Sequence, residues 1–226
     1  MTLQKRAPRM VWGTLIAVLI VLFPLMSYSE EGRRKFVPLR KVAVLPFLII
    51  RPVQEGRMVK GLWGDYFFRA GETPSRASTE VTAIFYRQLL SLGRCEVVPM
   101  DRTITAMEGM DPAAFKEDPL GEAVRKGKGL GVYAVVIGGV YRFEQRRGSA
   151  LGVEKAASVA FDAHLVRVED KKVIWSSRFD ETQRSLSENL LKASTFVKGG
   201  GRWVTVEKLT AIGVESALRT FPLLTL

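Results

Sequence analysis

The sequence predicts an α/β (α+β) fold: a mixed sheet of about five strands in β-α-β-α-β-β-β order, with helices packed on it and two helices at the carboxyl end. Three observations predict it. The run Val42-Ala43-Val44-Leu45-Pro46-Phe47 is apolar throughout, as a strand buried on both faces requires. Val81, Ile84, Phe85, Leu89 and Leu92 then recur at helical spacing. Further on, residues 132–145, 155–169 and 172–182 read as three successive strands divided by short polar breaks.

In chain order, residues 1–29 read first as an export signal. Lys5, Arg6 and Arg9 precede an apolar run from Met10 to Met26, and the small residues Ser27 and Ser29 stand before Glu30. The segment is either cleaved there or retained as a short membrane anchor, and both outcomes put the rest of the chain in the periplasm. Residues 30–40, charged and carrying Pro38, form a linker to an α/β domain at 41–182. Pro46 offers no ladder donor, so the first strand ends or bulges there. Residues 51–75 fit no period and hold Gly56, Gly61, Gly64, Gly71 and Pro74, which predicts a long loop. Its aromatics Trp63, Tyr66, Phe67 and Phe68 either anchor a partner or membrane interface or fold back over the core.

The apolar stripe predicts a helix over 76–92, capped by Ser75 or Ser78 and ended by Gly93. A strand at 95–99 follows, then a short helix from a cap at Asp101 through Met107, a Pro-rich loop at 109–119 and a helix at 119–128. Gly127, Gly129 and Gly131 lie after a helix and before a strand, the reverse of a dinucleotide fingerprint, so they read as the helix exit. In the second of the three later strands Val159, Phe161, Ala163 and Leu165 alternate with Ala160, Asp162 and His164, a half-buried pattern whose polar face meets solvent. Glu169, Asp170 and Lys171 turn the chain back, so the carboxyl side of the sheet is an antiparallel meander. Residues 183–226 form a helical extension. Ser185 with Glu188 makes a capping box, Gly199, Gly200 and Gly201 make a hinge, and Pro222 stops the last helix.

Charge narrows the partners. Removing the three leader cations from the 34 Lys and Arg leaves 31 against 23 Asp and Glu, an excess of eight. Such a surface either serves solubility or favours an anionic lipid or polymer, with Arg142, Arg146 and Arg147 as the contact set. No basic run is interleaved with stacking aromatics, so nucleic acid is not an expected partner. The single cysteine, Cys95, rules out an internal disulfide and reads as a buried, inert thiol. The single histidine, His164, has no Cys or His at metal-ligand spacing, and no pattern calls for a cofactor. Asp162 shares its strand face, so a hydrolytic dyad is the one enzymatic reading to set beside a polar strand face. Asp180 and Glu181 are adjacent in a strand and point apart, so they do not act as a pair.

The opening run at 42–47 resembles the first strand of the TolB amino-terminal-like domain, which is shared with CsgG and LpoB envelope proteins. Leu130-Gly131-Val132-Tyr133-Ala134-Val135-Val136-Ile137-Gly138-Gly139-Val140 is similar to that family's helix exit, strand and glycine. Residues 157–176, ending in Trp175-Ser176, resemble its strand pair. The resemblance covers about residues 41–180. It implies a non-enzymatic envelope accessory protein, an adaptor that binds other envelope proteins in assembly or transport. The chain lacks the lipid-bearing cysteine of CsgG and LpoB and the propeller of TolB. On this reading Trp63, Tyr66, Phe67, Phe68 and Trp203 are the expected partner contacts, since large aromatics dominate interface energetics.

Overall fold

The computed structural model describes residues 38–51, 58–109, 111–148, 153–183 and 204–226. The chain enters as β1 (Lys41–Val44), breaks at Pro46 and resumes as β2 (Leu48–Ile49). Both segments pair in parallel with the long strand β6 (Ala134–Glu144), so they behave as one strand interrupted where the proline lacks its donor. At the break the Phe47 amide turns away and donates to Thr82 Oγ1 at 2.9 Å. Helix α1 (Arg76–Leu92) crosses over to β5 (Glu96–Val97), which lies parallel to the other side of β1. Helices α2 (Met100–Met107), α3 (Pro112–Glu117) and α4 (Pro119–Leu130) then return the chain to β6. From there β9 (Ser158–Arg167) and β10 (Val173–Thr182) follow as an antiparallel meander, giving the order β10-β9-β6-β1-β5. The mixed sheet and its helices match the fold class read from the sequence.

The two faces of the sheet are covered differently. On the first face, α1 packs Val81, Phe85 and Leu89 beside α5 (Val206–Leu218), which contributes Leu209, Val214 and Leu218. On the second face, α3 and α4 bring Phe115, Leu120 and Ala123 against Val135, Ile137 and Val166. Farther along that face lies a hairpin of β3 (Met58–Lys60) and β4 (Phe67–Arg69), whose Phe68 meets Tyr141 and Ala160. The hairpin is closed by Gly61 N donating to Tyr66 O at 2.9 Å. A second, smaller hairpin joins β7 (Arg147–Gly148) to β8 (Val153–Lys155).

Several expectations change. The stretch at 51–75 is not a structureless loop, because residues 58–69 form β3 and β4. Three-residue strands leave no alternation long enough to read. The turn expected around residues 146–149 contains β7, and β8 precedes the strand that was expected to begin at 155. The expected loop at 109–119 contains α3, because Asp111 caps it with its side chain on Ala113 N and Pro112 suits a first helical turn. Asp101 lies inside the first turn of α2, with Pro99 at the cap. Ser75 heads α1 without a side-chain cap bond, while the Ser78 hydroxyl donates to Phe47 O at 2.6 Å. Gly131 does end α4, at φ 64°, where a side chain would be strained. Cys95 is buried next to β5, and burial pushes its thiol up to about 12. The expected helix after Ser185 lies outside the described residues.

Two closures tie distant chain segments together. Residues 224–226 pair with residues 38–40 through Arg40 N to Leu224 O (2.9 Å) and Leu226 N to Pro38 O (3.0 Å), and Leu224 N reaches Arg94 O at 2.8 Å. At the end of β10, Gln183 donates its amide to Ala157 O at 2.9 Å and accepts Val204 N at 2.8 Å, so the chain positions before 184 and after 203 are joined directly.

Candidate functional site

The polar residues of β9 are not in solvent. Asp162 and His164 are both 0% exposed, because hairpin β3–β4 covers the second face exactly where an open polar strand was expected. The register places Gly139 of β6 opposite Asp162, and Tyr141 lies two residues along on the same face. Oδ1 of Asp162 accepts the Gly139 amide at 2.7 Å. Oδ2 accepts the Tyr141 hydroxyl at 2.7 Å, the Leu62 amide at 3.0 Å and the Tyr66 hydroxyl at 3.2 Å. The Leu62 amide also reaches the Tyr141 hydroxyl oxygen at 2.6 Å. His164 Nε2 lies 3.2 Å from both Oδ2 and the Tyr66 oxygen, and its Nδ1 lies 2.9 Å from Ser176 Oγ on β10.

The geometry needs glycine at 139. A Cβ there would meet the Tyr141 hydroxyl at 2.6 Å and Asp162 Oδ1 at 3.2 Å. Burial, reinforced by the charge of Asp162, holds the Tyr66 and Tyr141 hydroxyls well above the usual tyrosine range, so both remain donors to that carboxylate. The Phe68 ring stacks on Tyr141 with centroids 4.0 Å apart, and the Arg178 guanidinium lies 5.1 Å from the Tyr66 ring centroid. The cluster therefore bolts the hairpin to the sheet with polar bonds flanked by an aromatic stack and a cation–π contact.

Ser176, His164 and Asp162 form a hydrogen-bonded chain, which a hydrolase reading would use. Asp162 Oδ2 is already shared among amide and phenol donors, and both Asp162 and His164 are sealed from solvent. Ser176 lies on a regular strand, paired with His164 of β9. Ser176 itself is exposed, but the two groups that would activate it are closed off, so the arrangement positions an element rather than forming an open catalytic site. Among the described residues no group of three His, Cys, Asp or Glu is placed to hold a metal ion.

The aromatics of the 51–75 stretch divide. Phe68 is 1% exposed and belongs to the core, and Tyr66 is half-buried in the polar cluster. Trp63 and Phe67 are exposed, at 44% and 57%, and Met58 joins them at 58%. Met58, Lys60, Phe67 and Arg69 alternate outward along the hairpin, so its outer face is apolar with a cationic rim. Lys60 pairs with Asp65 at 3.1 Å. Trp203 lies outside the described residues. Met58, Tyr141, Leu62 and Ser176 were not picked out from the sequence. A tyrosine in one apolar strand, and two polar residues two positions apart in the next, were the available signal.

The three arginines do not converge on a ligand. Arg142 is 7% exposed and spent internally: Nε donates to Ser158 Oγ, Nη1 to Arg69 O at 2.7 Å and Nη2 to Asp180 at 2.5 Å. It floors a cleft of about 490 Å³ walled by Arg69, Gly71, Glu144, Lys155 and Thr182. Glu144 pairs with Lys155 at 3.2 Å, so this cleft carries both signs of charge. Arg147 is exposed and lies 3.8 Å from Glu72, while Arg146 is half-buried with its amide on Gln145 Oε1.

No family model matches the chain, and no curated protein sequence matches it. Solved structures do. PelC from Paraburkholderia phytofirmans, a dodecamer, is 15% identical, with 79% of this chain and 84% of that chain covered at a TM-score of 0.45. A lipoprotein from Neisseria meningitidis is 16% identical, covering 72% of this chain and 99% of that one at 0.44. The carboxyl-terminal domain of LpoB from Escherichia coli is 14% identical, covering 71% and 94% at 0.39. At these overlaps the likenesses concern chain arrangement alone. Among the described residues no helix is long and apolar enough to cross a membrane.

Proposed function

We propose that the protein is a non-enzymatic accessory protein of the bacterial cell envelope, which captures other envelope proteins through the outer face of hairpin β3–β4. One observation carries the reading: Trp63, Phe67 and Met58 stand exposed on an element whose inner face is fixed to the sheet by the Asp162 cluster. An exposed apolar group on a rigid support loses little conformational freedom on binding, which is what an interface anchor needs. The envelope setting rests on the leader-like residues 1–29 and on the resemblance of residues 41–180 to the TolB, CsgG and LpoB domain. The anionic-ligand reading is weaker, since Arg142 is committed inside the domain. The hydrolase reading is weaker still, since Asp162 and His164 face no solvent.

The test is site-specific photocrosslinking from positions 63 and 67 in intact cells, with position 90 of α1 as a control at an exposed apolar residue elsewhere. Adducts of discrete mass from 63 and 67, absent from 90, are the expected result. Equal labelling from all three positions, or none, would remove the hairpin as the contact face.

A further inference from the structure

The two edges of the sheet are built differently. One edge is β5, two residues long, and the chain end closes beside it through Leu224 N on Arg94 O. The other edge is β10, ten residues long, paired only with β9 among the described strands. A long edge strand presents a row of backbone donors and acceptors to any strand of matching pattern, and soluble proteins usually blunt such an edge with charge. The charges on β10 are not of one sign. Arg178 and Asp180 flank Phe179, and both project from the second face, opposite Asp162 and Ala160 respectively.

We infer that β10 is an interface for a second copy of this chain, paired antiparallel about a two-fold axis at Phe179. Such an axis, perpendicular to the sheet, sets residues of the same face opposite one another. Centred on Phe179, it places Arg178 opposite the second copy's Asp180, and Asp180 opposite its Arg178. Ser176 then faces Thr182, and Phe179 faces its own counterpart. Opposite charges, hydroxyl pairs and aromatic pairs are the cross-strand combinations that stabilise an antiparallel ladder. Moving the axis to Arg178 or to Asp180 sets like charges against each other, and only the axis at Phe179 sets Arg178 opposite Asp180. Ser176, Arg178, Asp180 and Thr182 are all exposed, and the β-bulge of the β9–β10 pair lies back at Val173 and Trp175, outside the paired stretch. Arg142 binds Asp180 through Oδ1, and a carboxylate accepts at both oxygens. The edge is separate from the outer face of the hairpin, so the two surfaces can be tested apart.

Sedimentation of the full chain tests the inference, with Arg178→Asp and Asp180→Arg made singly and then mixed. The wild-type chain is expected at twice its 25.2 kDa mass. Each single variant should self-associate at least about tenfold more weakly, since both cross-strand contacts become like-charged. An equimolar mixture should recover the dimer, because both contacts are then of opposite sign. A wild-type chain that stays monomeric as concentration rises overturns the inference, as do single variants that dimerise as well as wild type. Should Asp180→Arg fail to fold beside Arg142, Phe179→Cys replaces it. Two such cysteines face each other across the axis and should join under mild oxidation, with Cys95 buried and out of competition. No cross-link would overturn the pairing. Trp63→Ala with Phe67→Ala should leave the dimer intact, so failure here and failure of the hairpin reading are distinguishable.

Discussion

Asp162 ties hairpin β3–β4 to the sheet. It gathers donors from a β6 amide, a β6 phenol, the hairpin turn amide and the hairpin phenol. Asp162→Ala removes the acceptor of the buried Gly139 amide and Tyr141 hydroxyl, and should destabilise the domain by about 3–5 kcal/mol in chemical denaturation. The phenols also fix a pH response. Both hydroxyls stay protonated in the fold at pH values where an unfolded tyrosine ionises, so above pH ~10 the native state binds more protons and unfolding becomes easier as pH rises. Melts across the alkaline range should show a loss of up to about 1.4 kcal/mol per pH unit for each phenol, and a flat response below pH ~9 from these groups. Cys95, held at about 12 by burial, should react with thiol reagents at pH ~8 only on unfolding. The alternation of β9 was legible in the sequence, but the burial of its polar half was not. The cover comes from Leu62 and Tyr66, about a hundred positions earlier in the chain, and strand periodicity carries no information on so distant a contact.

At the scale of elements, the hairpin divides adjacent residues between two tasks. Phe68→Ala removes a ring stacked on Tyr141 and should cost about 3–5 kcal/mol. Phe67→Ala, one residue away on the exposed side, should change stability by less than about 0.5 kcal/mol and weaken partner capture. Equal losses at the two positions in thermal melts would mean the hairpin does not have an inner and an outer face. Tyr66-Phe67-Phe68 alternates in and out over too short a span for its period to show, which is why the sequence marked the aromatics but not their sides. Helix α1 and the three later strands were readable because each runs for ten residues or more. Helix α3, six residues long, was hidden by the proline that in fact begins it.

For the whole molecule, order along the chain was legible and adjacency was less so. Parallel pairing of β1 with β6 joins residues about ninety positions apart, and no local pattern announces it. Helix α5 buries Val206, Leu209, Val214 and Leu218 against the first face, so a chain cut before it should lose cooperative unfolding altogether. By contrast, Gln183→Ala removes the acceptor of the Val204 amide and should lower Tm by a few degrees while unfolding stays cooperative. Differential scanning calorimetry of both variants decides between these outcomes. The Gln183 clasp has a wider meaning. Loop-closure entropy grows only with the logarithm of length, about 0.6 kcal/mol per doubling. Holding positions 183 and 204 together therefore costs little more across a long connection than across a short one, and the clasp sets where α5 begins against the end of β10.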